Sequence, residues 1–456
     1  MSQTNSEINL ITRELGLYIT SALDRTLPPK AAEESKHHLL DTIAAIISGS
    51  RLRPGKMAIN YIGLLGGQEE ALVVGSGILT TAVNAALANG MSAHADETDD
   101  SHKDSRSHFG CSVVPAALAI AEKEGRSGEA MLRAVALGYD IGVRFNLALG
   151  PNQLNAAGHC AHSFGGLFGA AAAAGALAAL DTRQIPWLLS YTAQQASGLS
   201  CYPRDVDHIE KAFIFGGMPA RNGVTAATMV AAGFTGIPEI LSGRSNFLST
   251  FSPDPQPERL VEELGSKFEI VRTNIKKWSV GTPIQAALDS VEALASENDL
   301  RADEIERIVV RMSDMESHIV DNQGMPDVNL QHAIAVFLLD GSLSFDASHD
   351  RDRMSDPATM EMREKVELIP DPEQPRRQPL VEIAMRDGRK LSHRTLAVRG
   401  TPDNPMEHQE IERKAEDLLT PILGAQRSRE LIDRIWNIEQ ETNVRDLRPL
   451  LMDENA

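Results

Sequence analysis

The sequence predicts a mainly α protein, with a large all-α helical domain and a smaller α+β domain. Three observations carry this. Apolar residues recur at three- and four-residue steps from Ile8 to about Leu248. β-branched residues and apolar/polar alternation come forward only between about 266 and 400. Helical spacing then resumes after Pro405. The division that results is 1–265 helical and 266–401 α+β, with 402–456 returning to the helical domain as closing helices.

In chain order, LITRELGLYITSALDR and SKHHLLDTIAAIISGS carry the helical period, as do ILTTAVNAALANGMSAHA and SVVPAALAIAEKEG. GEAMLRAVALGYDIGVRF and PARNGVTAATMVAAGFTG continue it, and Gly and Pro fall mainly at the joins. Phe164 to Leu180 holds seventeen uncharged residues, mostly Ala and Gly, and stops at Asp181. That is short of the roughly 20 residues a membrane span needs, so a buried core helix with close neighbours is expected. The pattern changes near SKFEIVRTNIKKW, Ser266 to Trp278. Ile305 to Met315 alternates like a strand, and Leu380 to Val398 reads as a hairpin about Asp387-Gly388. TPIQAALDSVEALASE and LQHAIAVFLLDG are helical, as are EHQEIERKAEDLLTPILG and SRELIDRIWNIEQ. The tail MDENA is expected to fray.

Composition narrows the function. With 44 Lys+Arg against 63 Asp+Glu, the formal net charge is −19, which repels phosphate backbones and anionic head groups. No nucleic-acid and no membrane partner is expected. Cys111, Cys160 and Cys201 lie 49 and 41 residues apart, which is neither a disulfide framework nor zinc-finger spacing. The start, MSQTNSEINL, lacks a basic region followed by an apolar run, so a cytoplasmic location is expected. The phosphate loop, the G-x-G-x-x-G turn, the G-x-S-x-G elbow and the H-E-x-x-H helix are all missing from the sequence. Nucleotide-driven, nicotinamide and serine-hydrolase chemistries therefore lose their support.

The densest polar stretch is HADETDDSHKDSRSH, His94 to His108, with three histidines and five carboxylates in fifteen residues. It joins two very apolar helices and is followed by Gly110 and Cys111. Three readings stand for it: an active-site loop, which we favour, a solvated acidic loop, and a metal site whose spacing matches no ligand motif. A second cluster, GHCAHSFGG, sets His159 and His162 just before the Ala-rich helix. A helix N-terminus there would keep imidazoles neutral and favour anions, though both residues could equally be capping or core histidines. Lys211 and Arg221 in HIEKAFIFGGMPARNG could grip carboxylates, or be a surface Lys and a salt-bridged Arg. Lys276 and Lys277 before Trp278 are a weaker signal of the same kind. Concentrated cations with neutral histidines suit proton transfer on a small polyanion.

These clusters, in this order, resemble the MmgE/PrpD family, which includes 2-methylcitrate dehydratase, cis-aconitate decarboxylase and iminodisuccinate epimerase. The resemblance rests on NGMSAHADETDDSH, SHFGCSVVPAALAIAE, GYDIGVR, H-x-x-H…FGAAAAA, the GG-x-x-ARNG run with GFTG after it, and DVNLQHAIAVFLLDG. It implies a homodimer, with the large all-α domain joined by a smaller α+β lid domain. The family's H-A-x-D-x-D-D-T-H loop falls on His94 to His102, which puts its first acid at Glu97, its hydroxyl at Ser101 and its last histidine at His102. The resemblance further implies His108 as a catalytic histidine, Lys211 and Arg221 as the Lys and Arg of the helical domain, Lys276 as the lid lysine, and His332 in place of a lid Tyr. Departures stand out at four positions. Cys160 takes the place of a family histidine, between His159 and His162. Trp278 replaces a Tyr, and Gly281 stands at a position often His or Cys. A later histidine of the lid pattern is Gln285.

The resemblance implies a cofactor-independent lyase, a hydro-lyase that removes a proton next to a carboxylate of a small di- or tricarboxylate such as 2-methylcitrate. Catalysis would fall to His108, His159 or His162, Lys211, Glu97 and Ser101, and substrate binding to Lys276, Arg221, His332 and His102. No cofactor and no metal are expected. Epimerisation of an imino- or aminodicarboxylate and decarboxylation of a cis-aconitate type are the alternatives on the same scaffold. A catalytically silent dimeric binding protein is the alternative outside enzymes.

Overall fold

The structure, a computed structural model, describes residues 2–453, and the chain is mainly α. It forms two compact units. The first takes the chain up to Ala95, Asp99–Thr273 and Ile411 onward; the second takes Asp96–Thr98 and Asn274–Glu410. The sequence pattern set its boundaries at 265/266 and 401/402, within the irregular stretches that flank these joins.

The first unit is built on the Ala-rich helix Ala161–Leu177, buried along almost its whole length. A Cβ on Gly169 would lie 2.5 Å from the Gly138 carbonyl oxygen, and one on Gly142 would lie 2.7 Å from that of Gly165. The helices Gly128–Leu149 and Ala161–Leu177 thus meet backbone to backbone, and Phe145 and Phe168 stack across them with centroids 3.7 Å apart. No helix among the described residues is long and apolar enough to cross a membrane. The helical pattern is interrupted by one ladder too short to leave a periodic signal, Ala71–Leu72 with Leu79–Thr80. Ser266 to Trp278, where β-branched residues come forward, holds a 3₁₀ turn, Glu269–Arg272. Glu269 is tied there by His102 and Lys267, and its carboxyl is pulled down to about 2. Burial opposes that pull, and the hydrogen bonds from His102 and Lys267, with the charge of Lys267, overcome it.

The closing helices are His408–Leu423, which enters the first unit at Ile411, and Ala425–Trp436. They are held by buried ion pairs, Lys414 Nζ to Asp41 at 2.5 Å and, further on, Arg448 to Glu122 at 2.7 Å. Contrary to the expectation of a frayed tail, Arg427 donates to the Met452 carbonyl at 2.6 Å and Asp453 pairs with Arg51. The last three residues of MDENA lie outside the described residues.

The second unit has a four-stranded sheet in the order Val366–Asp371, Ile305–Ser313, Leu380–Met385, Lys390–Arg394. The first pair is parallel and the others antiparallel. The hairpin turns at Asp387-Gly388, with Gly388 at φ +94°, a conformation that glycine adopts without strain. Val366–Asp371 left no strand signal because it lies at an edge, contains Pro370 and is mostly half-exposed. Ile284, Leu288 and Val291 of Thr282–Glu297 and Ile334 and Phe337 of Leu330–Asp340 complete the core with the inward residues of the sheet.

Asp96–Thr98 is anchored in this unit by two buried contacts. His349 Nε2 lies 2.8 Å from Asp96 Oδ2, and Lys276 Nζ donates to the Glu97 carbonyl at 2.7 Å. Asp327 stands 3.9 Å from the same imidazole. Burial lowers the affinity of His349 for a proton, but Asp96 and then Asp327 raise its pKa to about 9. Burial also raises Asp327, to about 6, with Asp96 and Glu97 adding to it and His349 opposing. An unfolded histidine titrates near 6.5, so stability from His349 is complete below that pH and is lost as pH rises through about 9. The thermal transition of this unit is accordingly expected to fall on the alkaline side by up to about 3 kcal/mol, and His349→Asn to abolish that fall. Melting curves across pH check this; an alkaline fall that survives in His349→Asn contradicts it.

Candidate active site

The site is built in the first unit from three helix ends. Ala82–Ala93 is capped by Thr81, whose Oγ1 accepts the Asn84 N–H, and runs out at His94. The segment His94 to Asp100 is buried, whereas Lys103, Asp104 and Arg106 are exposed. A solvated loop therefore describes only its tip. His108 stands just before the helix Gly110–Glu124. Facing both is the π-turn Phe213–Gly217 that follows Lys211. A Cβ on Gly216 would lie 2.0 Å from the Gly90 carbonyl oxygen, so only glycine lets the turn seat against Ala82–Ala93. That approach brings the Phe215 ring to His94.

Asp99 is the centre of the arrangement. Its Oδ2 lies 2.9 Å from His94 Nδ1 and its Oδ1 lies 3.0 Å from His108 Nδ1. Burial works to protonate Asp99, but His108 and then His94 outweigh it and hold the carboxyl well below its usual range. An ionised Asp99 accepts from both Nδ1–H groups, which leaves each Nε2 with a free lone pair. The side chains of His94 and Asp99 are fully buried, while that of His108 keeps 10% of its surface exposed. His108 is thus the member of this trio that can reach a ligand.

His162 lies with its ring 5.2 Å from that of His108 and stacked on Phe215 at 3.8 Å. Its buried Nδ1 has no hydrogen-bond partner. Burial, with the Lys211 ammonium acting in the same direction, pushes its pKa well below the ordinary value, so the ring is neutral. Burial likewise lowers His94, against the pull of Asp99. His94 covers Phe215 at 4.5 Å, and Lys211 Nζ lies 5.4 Å from the same ring centroid. Tyr202 and His208 border the group, 5.8 Å from His162 and 5.2 Å from His94 between ring centroids.

His108, His162 and Lys211 are therefore brought together. His159 is not with them: its ring packs on Phe164 and Phe251, and its backbone bridges to Leu199. Ser101 is half-buried beside the His102↔Ser107 bridge. His102 is engaged in structure, its Nδ1 accepting the Ser105 N–H at 3.2 Å and its Nε2 lying 3.4 Å from Glu269. Arg221 donates to Asn222 and lies over Phe213 at 5.6 Å. Cys160, between His159 and His162, is a buried thiol that burial pushes up to about 11.

Within the second unit, Glu97 and Lys276 form their own contact, with Nζ 3.5 Å from Glu97 Oε2. His332 is fully buried, and burial with the charges of Arg363 and Arg353 brings it down to about 4. Gln285 clamps the preceding loop by donating to the carbonyls of Trp278 at 2.7 Å and Val280 at 2.9 Å. Its role is structural, at a position where the resemblance implied a histidine.

Sequence reasoning had not singled out Asp99, His94 as a ring in the site, or Phe215. The signal for Asp99 was the histidine spacing on either side of it, His94 five residues before and His108 nine after. Among the described residues, His94, Asp99 and Cys111 place ligand-type atoms within 4.8 Å of one another. The imidazole Nδ1 and the carboxylate are engaged with each other, and the thiol donates to the carbonyls of Phe215 at 3.6 Å and His108 at 3.7 Å. We read the trio as part of a hydrogen-bond network and not as a metal centre.

An imidazole oriented by a carboxylate, beside a neutral imidazole and an ammonium, can move a proton on an anionic ligand. Residues 13–260 match the MmgE/PrpD N-terminal domain and residues 278–438 match the MmgE/PrpD C-terminal domain. The chain is also similar to the cis-aconitate decarboxylase-like protein oryM of Aspergillus oryzae (strain ATCC 42149 / RIB 40), with 26% identity over 301 residues. That match spans 62% of this chain and 61% of that protein. With both domain types matched over most of its length, the chain belongs to the MmgE/PrpD family.

Proposed function

We propose that the chain is an enzyme that moves a proton at a carbon next to a carboxylate of a small di- or tricarboxylate, with 2-methylcitrate-type hydro-lyase action as the leading reaction. The observation that carries this is Asp99 holding His108 by Nδ1 while the ring stays accessible beside Lys211. A C–H next to a carboxylate is very weakly acidic, so the site must lower the cost of the negative charge that develops. Lys211 supplies a cation, and neutral His162 and the Phe215 ring keep the surroundings poorly solvated.

In dehydration, His108 Nε2 takes the proton as the C–H pair becomes the new C=C bond and the C–O bond breaks. The proton then passes to the leaving hydroxyl, water departs and the imidazole ends neutral. The likeness to a cis-aconitate decarboxylase-like protein favours a second reading. There the C–C pair released with carbon dioxide moves through the double bond, and imidazolium His108 delivers the proton to carbon. The same residue serves both reactions in opposite protonation states.

Proton NMR in D₂O with 2-methylcitrate, citrate, cis-aconitate and iminodisuccinate tests this. New alkene products from a hydroxy acid are expected, seen as a vinyl C–H from citrate and, from 2-methylcitrate, as the methyl doublet giving way to an allylic methyl singlet. Loss of a carboxyl carbon from cis-aconitate would establish the decarboxylase instead. Deuterium wash-in without water loss would establish an epimerase, and four unchanged substrates at high enzyme concentration would contradict the proposal for this substrate class.

A further inference from the structure

Beneath the Asp99–His108 pair lies a second carboxylate with its own shell. Asp100 is fully buried. Its Oδ1 accepts the backbone N–H groups of Phe109 at 3.3 Å and Gly110 at 3.1 Å. Its Oδ2 accepts from His38 Nδ1 at 2.9 Å and from the Tyr139 hydroxyl at 2.5 Å. A Cβ on Gly110 would lie 2.5 Å from Thr42 Oγ1 and 2.9 Å from the Tyr139 oxygen, so this shell closes directly on the chain. Two adjacent carboxylates therefore grip one short stretch from two sides. Asp99 holds the imidazole of His108, and Asp100 holds the two N–H groups that follow it.

A buried carboxylate stays ionised through the donors around it, and a cation among them strengthens the hold. The cation in reach of Asp100 is His38, itself fully buried in the helix Pro29–Gly49. Glu34 and Asp41 face it from its own helix, Asp100 from the loop, and Tyr139 from Gly128–Leu149 with ring centroids 5.2 Å apart. Lys414, from the closing helix, pairs with Asp41. Burial alone would neutralise His38, but the hydrogen bond to Asp100 and the charges of Asp100, Glu34 and Asp41 raise its pKa. Burial works to protonate Asp100 too. His38, aided by Tyr139 and opposed by Asp99, brings it below the ordinary range. The Asp99–His108 pair is faced in turn by His94, His162 and Lys211, all described above.

We infer that His38 is a positioning residue for the proton transfer: as an imidazolium it keeps Asp100 ionised, and Asp100 fixes the Phe109 and Gly110 N–H groups and with them the ring of His108. This rests on His108 being the base.

The test uses the full chain carrying His38→Asn, whose amide keeps a donor toward Asp100 without the charge. With histidine ¹³C-labelled, the titration midpoint of His108 is expected to move down by about half to one pH unit, because an Asp100 that takes up a proton no longer favours a charged imidazole beside it. The acid limb of kcat on the substrate turned over should move with it, while KM stays within about twofold. Tyr139→Phe removes a neutral donor from the same oxygen and should move both in the same direction by less. A merely structural role would lower the folded fraction and leave the midpoint in place. An unmoved His108 midpoint in folded His38→Asn overturns the inference, and if that variant does not fold, Tyr139→Phe decides in its stead. Should the wild type turn over none of the polycarboxylates, the proposed reaction fails, while the His108 titration still decides the role of His38.

Discussion

His108→Gln is expected to lower kcat by about two to four decades with substrate affinity nearly unchanged. The amide can still donate toward Asp99, 3.0 Å from the present Nδ1, so the local packing and the ionised carboxylate are retained. What it lacks is a lone pair basic enough to take a proton from carbon. The size of the loss follows from general-base catalysis, not from stability, since His108 is the partly accessible member of its trio. Steady-state turnover alongside calorimetric binding separates the two. Wild-type turnover in the variant would move the base elsewhere, and His162 would be the next residue to replace.

Lys211→Ala is expected to lower kcat/KM by roughly two or more decades. Its ammonium lies 5.4 Å from the Phe215 centroid, in surroundings where two imidazoles are kept neutral by burial. A cation there acts on a developing carboxylate-stabilised anion with little screening, whereas a solvated lysine would contribute almost nothing. If it binds ground state and transition state alike, KM rises alone; if it acts on the developing charge, kcat falls as well. We expect both to change. Near-wild-type kinetics in the variant would remove Lys211 from the site.

The helical first unit was legible because burial on one face leaves a 3.6-residue period, and the Ala-rich stretch was legible because only small side chains permit the Gly138–Gly169 approach. The hairpin was legible through Asp387-Gly388, where φ is +94°. The strand Val366–Asp371 was not, since a half-exposed edge with a proline has neither alternation nor an apolar run. In the site, the run His94 to His108 stood out by its residue types, but which carboxylate faces which imidazole depends on turns that periodicity does not encode. Asp96, Asp99 and Asp100 look alike in the sequence. In the fold, Asp96 meets His349, Asp99 meets His94 and His108, and Asp100 meets His38. Likewise, His159 and His162 differ only by where the helix Ala161–Leu177 begins, since residues on either side of Cys160 leave in different directions. Phe215 was invisible because a π-turn carries no sequence pattern.

The central claim is that His108, held by Asp99, exchanges a proton with carbon. Deuterium wash-in next to the carboxylate, followed by NMR in D₂O for the wild type and for His108→Gln with the same bound substrate, tests it most directly. The account predicts wash-in that accompanies reversible water loss in the wild type, and its loss in the variant while binding persists. Equal wash-in rates in the two proteins would contradict it.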